Sequence, residues 1–346
     1  MYINLMIEIN KKKYISFWLL LITFLVAAMI IVGGLTRLTE SGLSITEWQL
    51  FSGILPPLNA NDWNYYFSLY KTTTEYKLIN SSMTLEEFKV IFWWEFVHRI
   101  LGRIIGLAFI LPLIYFSWKK LIHKSFLLQL YSIFLLILIQ GLIGWYMVKS
   151  GLVDRTDVSQ YRLSLHLTVA FIIFILLLWN YLKYNDNRVV SSYKKLPYYL
   201  PLIFLLFVIF QISLGAFVSG LDAGKIYQTW PLMNENYFPD DSNFRDLFSL
   251  KIFESPSIVQ FLHRNLAYFV FFLFCLILII IFKDKDFAHL KRNALLVFAS
   301  LILQIFLGIF TVTSGAQIVI ASMHQIGSIF LITTSLILVF KNSKIN

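Results

Sequence analysis

The stretch IFWWEFVHRILGRIIGLAFILPLIYFS, residues 91–117, decides the architecture. It is apolar for longer than the roughly 20 residues a helix needs to cross a bilayer, yet it carries Glu95, His98, Arg99 and Arg103 in its first half. Titratable and charged side chains are costly inside such a segment, so they mark function. Further windows of spanning length lie at 14–34, 126–148, 163–182, 198–220, 257–282, 293–313 and 318–340. The chain has 346 residues, 58% hydrophobic and 14% charged, which is far too apolar for a soluble globular domain. The predicted fold class is an all-α integral membrane protein with eight transmembrane helices, arranged as two tandem four-helix bundles related by pseudo-two-fold symmetry.

The charges sort by side. With the N-terminus cytoplasmic, the inner segments hold 16 Lys/Arg against 4 acids and the outer segments 10 against 14. The net charge of +10 therefore reports orientation and attraction to anionic lipid, and not a nucleic-acid partner. An even number of spans returns the C-terminus to the cytoplasm. The first apolar stretch exceeds signal-peptide length and ends in no clear cleavage site, and no Arg- and Ser-rich transit segment is evident, so a bacterial plasma membrane is expected. Cys275, the only cysteine, lies mid-span and rules out an intrachain disulfide.

The chain repeats itself. Glu95-Phe-Val-His-Arg99 in the second span matches Gln260-Phe-Leu-His-Arg264 in the sixth, and spans three and seven share Gln-x-x-x-Gly-x-x-x-x-x-Ser-Gly, at Gln140, Gly144, Ser150, Gly151 and at Gln304, Gly308, Ser314, Gly315. Span five carries Gln211 and Gly215 with a shorter gap. The odd-numbered spans are expected to leave the membrane at Ser-Gly steps, including Ser41-Gly42 and Ser219-Gly220, where glycine closes the last helical turn. This pattern predicts a single membrane domain over 1–346 built from a duplicated four-helix unit, with halves 14–182 and 198–340.

Each half owns two histidines near the outer ends of its even-numbered spans: His98 and His166, then His263 and His324. The start of its span at residue 91 puts His98 about 10 Å down its helix. Imidazole is an axial ligand for haem iron, and helix bundles build cofactor sites from inward-facing side chains. Small residues follow at i+4, namely Gly102, Ala170, Ala267 and Ser328. They would let a flat macrocycle lie against the helix, or they serve helix packing alone. Zinc is disfavoured because clusters of closely spaced ligands are absent. His123 and His289 sit beside lysines in the inner turns and read as solvated-loop residues.

Glu95 separates the halves. It lies three residues before His98, and its counterpart Gln260 cannot ionise. A carboxyl beside one site alone could move a proton there, which assigns chemistry to the first half and a redox or structural cofactor to the second. The alternative is an ion pair with Arg99 or another arginine. Arg99, Arg103 and Arg264 are candidates for haem propionates. The outer aromatics Trp48, Trp63, Tyr65, Tyr66, Trp93, Trp94, Tyr227 and Trp230 read mainly as an interfacial belt. Short amphipathic helices are expected near 61–70 and 84–92, the latter opened by a Thr84-Leu-Glu-Glu87 capping box.

The runs Gly33–Trp48, Glu95–Arg103, Thr229–Met233 and Gln260–Arg264 together resemble the haem A synthase family over essentially all eight spans. The resemblance is to its cysteine-free branch, of bacterial or mitochondrial type, because the first outer loop has no cysteine pair. It implies a membrane haem-dependent oxidoreductase that oxidises the C8 methyl of haem O to a formyl group, by successive hydroxylations and loss of water, making haem A for cytochrome oxidases. It further implies Glu95 as the catalytic carboxylate, His98 and His166 as ligands of the substrate haem, and His263 and His324 as axial iron ligands of a cofactor haem B. Haem O synthase and oxidase assembly factors are the implied partners, and a homo-oligomer stays open. Two other classes compete: a di-haem b-type electron-transfer protein, disfavoured by four ligands near one face, and a non-catalytic haem transport or assembly protein.

Overall fold

The computed structural model describes residues 2–48, 52–186, 195–196 and 199–343. Lys344 and the basic stretch 188–194, counted above on the inner side, lie outside the described residues. Among the described residues eight helices are long and apolar enough to cross a membrane, and no strand is formed. That outcome follows from the solvent. In hydrocarbon every backbone N–H and C=O must be satisfied within the segment, so apolar runs of this length close as helices.

The spanning helices are α1 (Tyr2–Leu38), α4 (Leu85–Trp118), α5 (Lys124–Asp154), α6 (Gln160–Tyr184), α7 (Leu200–Gly220), α8 (Pro256–Lys283), α9 (Lys291–Thr313) and α10 (Ile318–Asn342). Two short helices, α2 (Ala60–Tyr70) and α3 (Thr74–Leu78), lie in the first outer loop. The chain divides into two compact units, residues 1–177 and 178–346. In the first, α4 packs on α1 and α5; in the second, α7, α8, α9 and α10 close a ring in which each helix touches two others. Contact in that ring places α8 diagonally across from α10.

Three expectations are corrected. The capping box at Thr84 forms, with Thr84 N and Oγ1 both donating to Glu87 Oε2 at 2.8 Å, but it opens α4 itself and not a separate helix over 84–92. His98 is therefore thirteen residues into α4, or about 20 Å. The extra turns are kept helical by packing against the loop: Phe88, Phe92 and Phe96 join Ile45, Phe67 and Tyr70 in an aromatic core above the spans, with Trp63 and Tyr66 against it. The helix expected near 61–70 is present as α2, capped by Asn59, and α3 follows it, capped by Thr73.

The third correction concerns the Ser-Gly steps. Only Gly315 adopts a left-handed conformation (φ +67°), closing α9. Helix α5 runs through Ser150-Gly151 to Asp154, and the absence of a side chain at Gly151 admits Leu43, whose Cδ2 would lie 3.0 Å from a Cβ there. After α1 and α7 the left-handed residues are Glu40 (φ 52°) and Asp222 (φ 49°), two residues past the last helical one in each case.

Candidate functional site

Helix α1 faces α4 through Gly33. A Cβ on Gly33 would come 3.2 Å from His98 Nε2, so the imidazole occupies space that any side chain would fill. The same device recurs at the other three histidines. A Cβ on Gly144 would lie 2.9 Å from His166 Cε1, one on Gly215 3.1 Å from His263 Cε1, and one on Gly308 3.1 Å from His324 Cε1. Each imidazole is thus seated against the bare backbone of an odd-numbered span. Two of these glycines carry the Gln-x-x-x-Gly repeat of spans three and seven and a third that of span five, but their partners could not be named without the fold.

The glutamines of that repeat also acquire a task. One helical turn before each glycine, Gln140 Nε2 donates to the backbone carbonyl of His166 at 2.9 Å, Gln211 Nε2 to that of His263 at 2.9 Å, and Gln304 Nε2 to that of His324 at 3.0 Å. Gln211 Nε2 also lies 3.2 Å from His263 Nδ1. A neutral hydrogen bond in a dry interior fixes the histidine's turn of helix against its neighbour. The small residues at i+4 have mixed surroundings: the space beside Gly102 is taken by Met29, whose Cε would lie 3.1 Å from a Cβ at 102. At that position packing, and not an open face, explains the glycine.

The first unit brings its two histidines together. The rings of His98 and His166 have centroids 6.4 Å apart and planes inclined by 78°. Two imidazoles sharing one metal ion between them stand roughly 6 Å apart, given metal–nitrogen bonds of about 2 Å each. In the second unit His263 on α8 is backed by Gly215 on α7 and His324 on α10 by Gly308 on α9, on helices that lie diagonally across the ring. His166 Nδ1 and His324 Nδ1 are buried without a hydrogen-bond partner, an arrangement that is costly unless a ligand takes the imidazole. No group of three or more His, Cys, Asp or Glu that could hold a metal stands together among the described residues. Paired imidazoles without further ligands suit a metal whose other positions are filled by its own macrocycle, as in haem.

Glu95 is 2% exposed and both its oxygens are engaged. Oε2 accepts from Ser44 Oγ at 2.7 Å and from the Ile45 N–H at 2.8 Å, and Oε1 accepts from Arg99 Nη2 at 2.6 Å and Nε at 3.1 Å. The ion pair weighed as the alternative is therefore formed. Arg99 also donates to the carbonyls of Ile45 and Glu47 at 2.8 and 3.1 Å and lies over the Trp48 ring, so the Glu95/Arg99 pair clamps the segment after α1 onto α4.

The equivalent pair in the second unit clamps its own outer loop without a carboxylate. Gln260 Nε2 and Arg264 Nη2 both donate to the carbonyl of Tyr227, at 3.0 and 2.9 Å, and Arg264 Nη1 donates to that of Leu232 at 3.2 Å. Arg99 and Arg264, two of the three guanidinium groups assigned above to propionates, thus spend hydrogen bonds on loop carbonyls. Tyr227 is buried and belongs to this loop core, while Trp48, Tyr65, Trp93 and Trp230 keep between 43 and 51% exposure. His123 is exposed at the N-cap of α5 and His289 is half-buried, both remote in sequence from the four paired histidines.

A second buried acid lies above the spans in the first unit. Glu75 on α3 is 5% exposed, and its Oε2 is buried without a hydrogen-bond partner. Burial, with the negative charges of Asp157, Glu95 and Glu40 adding to it, pushes its carboxyl up to about 8, so it is protonated at neutral pH. Burial likewise raises the neighbouring Tyr70 phenol. Sequence reading passed over Glu75 because nothing in its local context distinguishes it from a solvated loop acid.

A family profile described as cytochrome oxidase assembly protein matches residues 16–336. The heme A synthase of Pelagibacter ubique is 47% identical over 337 residues, 96% of this chain and 98% of that protein. That of Rickettsia bellii is 43% identical, covering 93% of this chain and 96% of its own length, and that of Sinorhizobium fredii 41%, covering 92% and 87%.

Proposed function

The chain belongs to the cytochrome oxidase assembly protein family, and we infer from that membership that it is a haem A synthase, a multi-pass membrane oxidoreductase converting haem O to haem A. The substrate is haem O. The observation that carries the assignment of chemistry to the first unit is the contrast between the two clamps: an amide at Gln260 suffices to hold one outer loop, so the charge of Glu95 is not needed for holding the other. A buried carboxylate one turn from His98 is instead available for proton transfer.

In this reading His98 and His166 would hold the iron of the substrate haem, and His263 and His324 would hold a resident haem B. When bound, haem B supplies a one-electron redox centre. The chain's own contribution is positional and electrostatic. The glycines at 33, 144, 215 and 308 seat the imidazoles, and the glutamine amides hold three of them in register. Arg99 pairs with Glu95 Oε1, and Ser44 Oγ, which donates to Oε2, can accept a proton from the site as it passes its own to the carboxylate. The sorting of lysines and arginines supports cytoplasmic termini in a bacterial plasma membrane. Haem O synthase and oxidase assembly factors are the proposed partners.

The test is Glu95→Gln. The variant should retain both haems, yet lose haem A formation by about 10²-fold or more, with haem O or a partly oxidised form accumulating. Pigment extraction followed by mass analysis reads both quantities. Unchanged haem A output would remove Glu95 from the chemistry and favour a carrier or transport role.

A further inference from the structure

The four imidazoles are seated alike but not held alike. Gln140, Gln211 and Gln304 each stand one turn before the glycine that faces a histidine, and each donates to that histidine's backbone carbonyl at 2.9–3.0 Å. On α1 the glycine is Gly33, and the residue one turn before it is Met29. The thioether has no N–H to donate. Its terminal methyl packs instead beside Gly102, in the turn that follows His98.

A second, independent difference lies in the ring itself. Opposite Gly144, Gly215 and Gly308 the atom nearest a Cβ on the glycine is Cε1, with the two ring nitrogens next at 3.5–3.9 Å, so those rings present their Cε1 corner to the neighbouring helix. Opposite Gly33 the nearest atom is His98 Nε2, with Cδ2 next at 3.6 Å. Of the four, only His98 is rotated so that a nitrogen is its atom nearest the helix backing it.

We infer that His98 is the exchangeable imidazole of the first unit: it turns away toward Gly33 and gives up its metal bond while His166, latched by Gln140, keeps hold, and Met29 is the positioning residue that leaves it free to do so. This rests on the reading of His98 and His166 as axial ligands. Its consequence is that a small molecule enters on the His98 side, the same side as Glu95, one turn away on α4. A flexible, polarisable methionine suits that role, because it fills the gap in more than one rotamer while His98 moves.

The experiment is carbon monoxide titration of the purified, reduced, haem-loaded protein, followed optically. Wild type should bind carbon monoxide at one of its haems. Met29→Gln, which restores the missing latch, should weaken that binding by about three- to tenfold, the worth of one neutral hydrogen bond, with haem content unchanged. In the opposite direction, Gln304→Met should create carbon monoxide binding at the second unit's haem. Equal carbon monoxide affinity in wild type and a fully loaded Met29→Gln protein would overturn the inference. If Met29→Gln does not load, an unchanged carbon monoxide response in Gln304→Met overturns it equally. The underlying ligand assignment fails separately, if His98→Ala leaves the low-spin spectrum of both haems as in wild type.

Discussion

In the first unit two carboxylates are buried, Glu75 at 5% and Glu95 at 2% exposure, whereas the buried polar groups described in the second are amides and hydroxyls together with one guanidinium, Arg264. The histidines, the glycines behind them and the arginine clamps are otherwise counterparts. The two units thus share the arrangement of histidine, backing glycine and arginine clamp and differ in their buried carboxylates. An arginine clamps the outer loop in each unit, and a carboxylate joins that clamp only in the first. Charge in a low-dielectric setting is expensive, and the amide of Gln260 holds the second loop without one.

The scaffold half of this comparison breaks most severely at the glycines. Gly308→Val would drive a branched side chain into the His324 ring, whose Cε1 would lie 3.1 Å from the new Cβ. Loss of the second unit's haem from the purified protein is expected, with the first unit's haem retained, as measured by pyridine haemochrome and mass analysis. Full retention of both haems would mean that the glycine seats nothing.

A smaller effect tests the charge half. Glu75 ionises in the folded protein near 8, far above the ordinary carboxyl value, so the folded state holds its proton more tightly than the unfolded chain. Below about pH 4.5 the group is protonated in both states and contributes nothing; stability then falls as pH rises toward 8, where the cost of a buried charge is complete. Glu75→Gln should remove that fall. In detergent the variant should melt with wild type at pH 5 and above it at pH 8.5, by an amount on the order of a few kcal/mol at most. Identical melting at the higher pH would show that Glu75 is solvated.

The mildest change is Gln260→Glu, which copies the first unit's clamp into the second. The amide donor to the Tyr227 carbonyl is lost, and a carboxylate is placed beside Arg264. Loss of one hydrogen bond and gain of a pair nearly cancel, so a stability change of about 1 kcal/mol is expected, with haem content intact. A large loss of stability would mean that the two clamps are not equivalent.

Much of this was legible in the residues. Five of the eight spans, α6 to α10, begin and end within a few residues of their hydropathy windows, because lipid selects on composition alone. Of the misjudged ends, at Tyr2, Leu85 and Asp154, the last two are those where a helix continues beyond the apolar run into packed contacts. There Phe88 and Phe92 pack on α2, and Gly151 packs on Leu43, so tertiary contact replaces lipid as the reason for helicity. The histidine pairs, the Glu95/Gln260 contrast and the Gln-x-x-x-Gly repeat were all visible as patterns. What the repeat was for was not.

Sequence by itself determined the number of crossings, the pairing of the histidines and the uniqueness of Glu95, because each follows from local composition and from register along one helix. Only the tertiary structure decided that Arg99 neutralises Glu95 against the segment after α1, that four glycines face four imidazoles, and that Met29 stands where a glutamine holds the others. Those contacts join residues tens of positions apart on different helices. Which side chains meet there depends on how helices pack, and no periodicity within a single helix encodes it.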